Sequence, residues 1–242
     1  MASNSEITFG AKIANASKIS ANLKTFTGYV APTTNTSIPN YDALIASITS
    51  ENTGVATKKA AYSAAVDVRQ KLFFKDKDSV LKILSPVTSA VRSKLGKKAK
   101  AVTDLTALVV KIRGAKKAKG KDPKANNAGK EDKEVISNSE RSYGSITQNF
   151  SDIITTLVSL GTSYAPANSD FALAALQTKL VSIKAASDTT TTTYAALKTG
   201  IKNRLSQYDD LAEKTQRIKE SVKSQYGVKS TEYALIKGLK VK

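Results

Sequence analysis

Apolar residues recur at Val80, Leu84, Val87, Val91 and Leu95, steps of four, three, four and four that line one face of an α-helix. The same rhythm returns at Leu211, Thr215, Ile218, Val222 and Tyr226. A glycine follows each stripe, Gly96 and Gly227, and glycine enters the left-handed conformation that ends many helices at least cost. The correspondence extends upstream. At a separation of 132, Leu44, Ile48, Tyr62 and Phe73 match Leu176, Leu180, Tyr194 and Leu205. At 134, Ile19, Leu23 and Ala31-Pro32 match Ile153, Leu157 and Ala165-Pro166. The offset changes only where turns are expected, the places that best tolerate insertion. The pattern predicts an all-α fold: two tandem antiparallel helical bundles of about three to four helices each, related by internal duplication.

Helices are expected in the first copy at 5–28, 41–74, 76–95 and 98–112, and at 229–240 near the end of the second. Asn52-Thr53-Gly54 is a weak point where the second helix could kink. Ser85-Pro86 predicts a kink or a fresh helix start, since proline is poorly tolerated in a helix interior but suits its first position. Thr189–Thr193 is a β-branched run that lowers helix propensity. Leu176, Leu180 and Ile183 nevertheless stay in helical register with Tyr194, Leu197 and Ile201 across it, which favours a helix there. Ala101–Ile112 admits a strand reading through Val102 and Leu108–Val110, but the equivalent Tyr233–Lys237 reads as helix. From Gly114 to about Glu134 almost nothing is apolar, which predicts a linker. The expected organisation is therefore a first repeat at 1–113, a basic flexible linker at 114–136 and a second repeat at 137–242.

Composition supports a folded chain. The 242 residues are 40% hydrophobic and 24% charged, and they suffice for one large domain or two smaller ones with a core each. Aromatics make up only 6%, with no Trp, so the core must rest on Ala, Leu, Ile and Val. Cys and His are both absent. That excludes disulfides, thiolate nucleophiles, Cys/His zinc sites and imidazole-based triads. The N-terminal Met-Ala-Ser-Asn-Ser-Glu has neither a basic start nor an apolar core, so no secretory signal is read there and a cytoplasmic location is expected. The longest apolar runs, 105–112 and 153–160, are too short to span a bilayer.

The net charge of +18 is uneven. Residues 94–124 carry eleven Lys/Arg against Asp104 and Asp122, and residues 214–242 carry eight against Glu220 and Glu232. Like charge clustered in this way is the footprint of a polyanion partner, most commonly nucleic acid held through its phosphates. Lysines outnumber arginines several-fold, which argues against sequence-specific reading by forked guanidinium groups. The candidate binding residues are Lys97, Lys98, Lys100, Lys116, Lys117, Lys119 and Lys121, with Lys223, Lys229, Lys237 and Lys240 in the second copy. Tyr62, Tyr194 and Tyr226 fall at stripe positions and are expected in the core rather than stacked on bases.

Other motifs fail on spacing or setting. Gly114–Asp122 superficially resembles a phosphate-binding loop, but five residues separate its glycines where four are needed, and Asp122 stands where Ser or Thr would hold magnesium. Asp76 with Asp78, and Asp209 with Asp210, are expected near helix starts, where carboxylates favour the positive dipole end. Glu131, Asp132 and Glu134 fall in the linker, and the three Asn-X-Ser sites (Asn15, Asn35, Asn149) are chance matches. No catalytic residue, metal site or cofactor is assigned. The expected function is non-enzymatic, non-specific binding of nucleic acid or another polyanion. The alternative is a helical structural protein that self-assembles into a homo-oligomer with no nucleic-acid role.

Overall fold

Each apolar stripe is buried along a helix except at its last residue, Leu95 or Tyr226, which is half-buried. The computed structural model describes residues 8–114 and 141–241, and all regular structure among these is helical, with no strand. Helix α1 spans Phe9–Leu23, α2 Ile38–Gln70, α3 Val80–Leu95 and α4 Lys100–Arg113; then come α5 Tyr143–Ser159, α6 Leu173–Tyr226 and α7 Thr231–Lys237. Hydroxyl caps start three of them: Thr8, Ser142 and Ser230 accept from the amides of Ala11, Ser145 and Tyr233 at 3.2, 3.0 and 3.1 Å. No described helix is long and apolar enough to cross a membrane.

The described residues belong to two compact units, one made of residues 1–62 with 193–242 and the other of 63–192. These units have other bounds than the bundle repeats expected at 1–113 and 137–242.

In the first unit, α1 packs against α7, and Ala16, Ile19 and Leu23 share a core with Tyr41, Ile45, Ile48, Leu211, Ile218, Val222 and Ile236. Tyr41 and Thr215 meet at 2.7 Å inside this core. The Thr215 hydroxyl already donates to the Leu211 carbonyl at 2.6 Å, so Tyr41 must be the donor to Thr215. Burial pushes the Tyr41 hydroxyl up to about 12. Tyr208 is held from both sides, accepting from Asn52 at 2.9 Å and donating to the Phe9 carbonyl at 3.0 Å.

In the second unit α3, α4 and α5 pack side by side around Leu84, Val87, Leu105, Ile112, Phe150 and Ile153, with Leu176 and Ile183 from α6. The end of α2 loosens into a π-helical turn over Lys71–Lys75. Phe73 in this turn is fully buried and meets the ring of Tyr143 edge-on at 4.9 Å. The Arg69 guanidinium lies 3.9 Å from the centre of the same Tyr143 ring.

Several local expectations are corrected. The first helix, expected over 5–28, covers Phe9–Leu23 and stops short of 28; residues 5–7 lie outside the described residues. Helix α2 runs unbroken through Asn52-Thr53-Gly54, with Ile48 and Val55 buried on either side. Pro86 lies inside α3, which neither ends nor restarts there. Proline in a helix interior costs about 3 kcal/mol. Burying Val80, Ile83, Leu84, Val87 and Val91 offsets this, at roughly 1.5–3 kcal/mol for each large side chain. Helix α4 excludes the strand reading of 101–112.

The threonine run is helical, as its register predicts. Each of Thr189, Thr190, Thr191 and Thr192 returns its hydroxyl to a carbonyl four residues back, at 2.8–3.1 Å. No helix begins at Asp209-Asp210, because α6 passes straight through them, so the helix-start role is overturned for that pair. Asp78 precedes α3 and makes an ion pair with Lys179, which holds its carboxyl below the usual range.

Gly54 lies mid-helix, and a methyl group there would meet only Lys58 Nζ at 3.8 Å and Glu51 Oε2 at 4.0 Å. Gly54→Ala is expected to stabilise the protein by about 0.5–1 kcal/mol, read as a higher urea midpoint; a lower midpoint would show that the helix is not intact there. Tyr41 generates a second prediction. Its folded pKa of about 12 exceeds the unfolded value near 10, so its contribution is complete below pH 10 and lost as the pH rises through 12. Urea unfolding at pH 9 and 12 should show a loss on the order of 2–3 kcal/mol attributable to this residue. Tyr41→Phe should show a correspondingly smaller pH-dependent loss.

Candidate polyanion interface

The lysines of interest sit where helices stop. In the second unit α3 ends at Gly96, whose φ of 82° is a conformation only glycine adopts freely, and whose amide donates to the Arg92 carbonyl at 2.9 Å. Lys97 and Lys98 form the turn, closed by Ala99 N–H on the Gly96 carbonyl at 3.3 Å, and α4 begins at Lys100. In the first unit α6 ends in the same way at Gly227, with φ 93° and its amide on the Lys223 carbonyl at 3.0 Å. Val228 and Lys229 fill that turn, and Ser230 N–H closes it on the Gly227 carbonyl at 3.2 Å. Both turns are short and stand out from the helix ends, and even Val228 in the second is 61% exposed. Lys97, Lys98 and Lys229 are exposed.

The candidate residues differ in how free their charge is. Lys97, Lys98 and Lys229 have no acidic partner among the described residues. Lys100 reaches Asp104 at 2.6 Å, one helical turn on, and is partly neutralised. Lys223 lies 3.7 Å from Glu220. Lys116, Lys117, Lys119 and Lys121, with most of the expected linker, lie outside the described residues. The structure places Lys97, Lys98 and Lys100 in one compact unit and Lys223, Lys229, Lys237 and Lys240 in the other. They are two sets, each local to its own unit.

Lys237 and Lys240 are exposed at their side chains while their backbone is tied down. Lys219 donates to the carbonyls of Lys237 at 3.3 Å and Leu239 at 2.5 Å. Asn15 donates to the Lys240 carbonyl at 2.8 Å, and Val241 is buried beyond it. Burial lowers the pKa of Lys219. Lys219 therefore holds the chain end in place and is not available to a ligand.

Sequence reasoning that counted lysines missed two arginines. Arg92 on α3 and Arg113 at the end of α4 line a groove of about 710 Å³ between these helices, together with the hydroxyl-bearing Ser85, Thr88, Ser89 and Thr106. Arg113 donates to the Leu81 carbonyl at 3.2 Å, which fixes one of its nitrogens. Their signal in the sequence was their place next to the apolar positions Val91 and Ile112. Of the tyrosines expected in the core, Tyr62 and Tyr226 are half-buried, while Tyr194 is 45% exposed and lies beside Tyr62 at 5.4 Å.

Chemically, these turns offer ammonium groups on flexible stems, which attract phosphates as point charges without fixing their orientation. No group of three or more acidic side chains among the described residues could hold a metal ion. No family model, curated protein or solved structure matches the chain.

The two kinds of lysine should separate by experiment. Lys219→Ala is expected to destabilise the protein by about 1–2 kcal/mol and to speed amide exchange at Gly238–Val241. Lys237→Ala, which removes only an exposed side chain, should do neither. Unchanged exchange in Lys219→Ala would remove its anchoring role.

Proposed function

We propose that the protein is a non-enzymatic binder of nucleic acid that engages the phosphate backbone through the lysines of its helix-ending turns, without sequence preference. The observation that carries this reading is the exposure of Lys97, Lys98 and Lys229, free of acidic partners among the described residues, at turns closed by positive-φ glycines. Turns of this kind project charge from rigid helix ends, so little ordering of the backbone opposes binding. The chain's net charge of +18 adds long-range attraction for any polyanion. Lys237 and Lys240 extend the basic surface of the first unit, and Arg92 and Arg113 that of the second. The absence of His and Cys from the sequence favours a binding role over catalysis.

The reading also takes the chain as an internal duplication, so that each basic turn is one copy of a repeated feature. Buried Ala16, Ile19, Ser20 and Leu23 of α1 stand 134 residues before buried Phe150, Ile153, Ile154 and Leu157 of α5. Their caps, Thr8 and Ser142, keep the same spacing. Gly96 and Gly227 end equivalent stripes with similar φ, 82° and 93°. The four-residue turns Gly96–Ala99 and Gly227–Ser230 close with the same backbone hydrogen bond.

The test is the salt dependence of binding to a mixed-sequence DNA duplex. Affinity should fall steeply between about 50 and 200 mM salt and should vary little between sequences of equal length. Substituting Lys97, Lys98 and Lys229 together by Gln should weaken binding and make the slope of log K against log salt shallower by roughly two to three, about one per lost phosphate contact. Lys100→Gln should cost less than Lys98→Gln, because Asp104 already occupies its ammonium. No measurable binding at low salt, or a slope unchanged in the triple variant, would remove the proposal.

A further inference from the structure

Helix α6 carries an exposed face whose charges are sorted along its length. Tyr194, Lys198, Lys202, Leu205, Asp209 and Glu213 fall within about a third of the helix circumference, at the spacing of one helical face. All six belong to the first compact unit, and all are exposed. The two cations lie toward the N-terminal side and the two acids toward the C-terminal side, with Leu205 between them. Leu205 is 47% exposed although its spacing pairs it with Phe73, which is fully buried. The difference is local: α2 loosens into the Lys71–Lys75 π-turn that carries Phe73 into a core, while α6 continues unbroken and leaves Leu205 outside. Ile201, Leu205 and Ser206 line a shallow groove with Lys198, Lys202 and Asp209.

We propose that this face of α6 is a self-docking surface, on which a second copy of the chain packs its own α6 antiparallel about a two-fold axis. The register comes from the charges. The midpoint between Lys202 and Asp209 and the midpoint between Lys198 and Glu213 coincide, falling between Leu205 and Ser206. A two-fold axis at that point brings Lys202 opposite Asp209 of the second copy and Lys198 opposite its Glu213, and symmetry repeats both pairs. The same axis places the two Leu205 side chains against each other, removing from water the apolar group that the monomer leaves exposed. A parallel pairing would set like charges side by side along the whole face. The groups that face the axis are otherwise lightly engaged. Lys202 and Asp209 have no ion pair among the described residues, Lys198 lies 5.7 Å from the Tyr194 ring, and Glu213 lies 3.7 Å from Arg217 while staying 70% exposed. The occupant is a second copy rather than an unrelated partner because the face is complementary to itself. This surface is independent of the basic turns assigned to nucleic acid.

The experiment is sedimentation velocity on the nuclease-treated full chain at about 150 mM salt, a concentration that leaves close ion pairs only partly screened. The expected species is a dimer of twice 25.8 kDa. Lys202→Asp and Asp209→Lys should each shift it to monomer, because each sets like charges across the axis. The double variant carrying both changes restores opposite charges in reversed polarity and should dimerise again. Leu205→Glu should be monomeric. All three positions are exposed, so far-UV circular dichroism should stay as in the native chain. The absence of natural cysteine allows an independent check: Ser206→Cys should crosslink to itself with a short bis-maleimide, and Ser17→Cys on the exposed side of α1 should not. A native chain that stays monomeric, a dimer unmoved by the single reversals, a double variant that fails to recover, or equal crosslinking from both cysteines would each overturn the proposal.

Discussion

With no tryptophan and few aromatic side chains, this chain excludes water from its cores chiefly by pressing aliphatic helix faces together, and its other features follow from that requirement. The buried apolar residues of α1, α3, α4 and α5 lie on one face each, and the outer faces are largely polar, with Val110 and Val158 as exposed exceptions. One polar pair taken into a core is fully partnered, whereas the buried Ser79 Oγ has no hydrogen-bond partner. The Tyr41 hydroxyl donates to Thr215, whose own proton goes to the Leu211 carbonyl, so neither atom is left without a hydrogen bond in a water-poor environment.

Packing also explains why helices persist through residues that disfavour them. Gly54, Pro86 and the threonine run each lower local propensity, and each lies inside a continuous helix. Propensity differences amount to about 1 kcal/mol for glycine and about 3 for proline, less than the burial of the several large side chains that flank them. The threonines add their own compensation by bonding back to the preceding turn. The departure in the other direction, the π-turn at Lys71–Lys75, turns Phe73 toward Tyr143 and so exchanges regular hydrogen bonding for aromatic burial.

The surface is set by what the cores leave over. Lysines lie at turns and outer faces because their ammonium groups must stay hydrated, and the two glycine-ended turns concentrate them where the backbone has no apolar side to cover. Lys219 is one counter-example, half-buried to hold the carbonyls of Lys237 and Leu239, and nothing in its sequence setting distinguishes it from its neighbours. The same holds for Arg92 and Arg113, which share a groove through the packing of α3 on α4, a relation between residues that are 21 apart.

The sequence by itself determined the helical class, the buried stripes Val80–Val91 and Leu211–Val222, and the glycine-ended turns that carry Lys97, Lys98 and Lys229. These are local properties, settled by side-chain period and by the conformational freedom of glycine. Only the tertiary structure decided where helices continue, because burial summed over many residues outweighs any one unfavourable residue. It alone decided which elements share a core: residues 1–62 pack with 193–242, a pairing between chain segments that no short-range pattern encodes. It also placed Leu205 outside and Phe73 inside at matching positions of the sequence pattern, since that depends on whether the helix backbone loosens at that point or runs on.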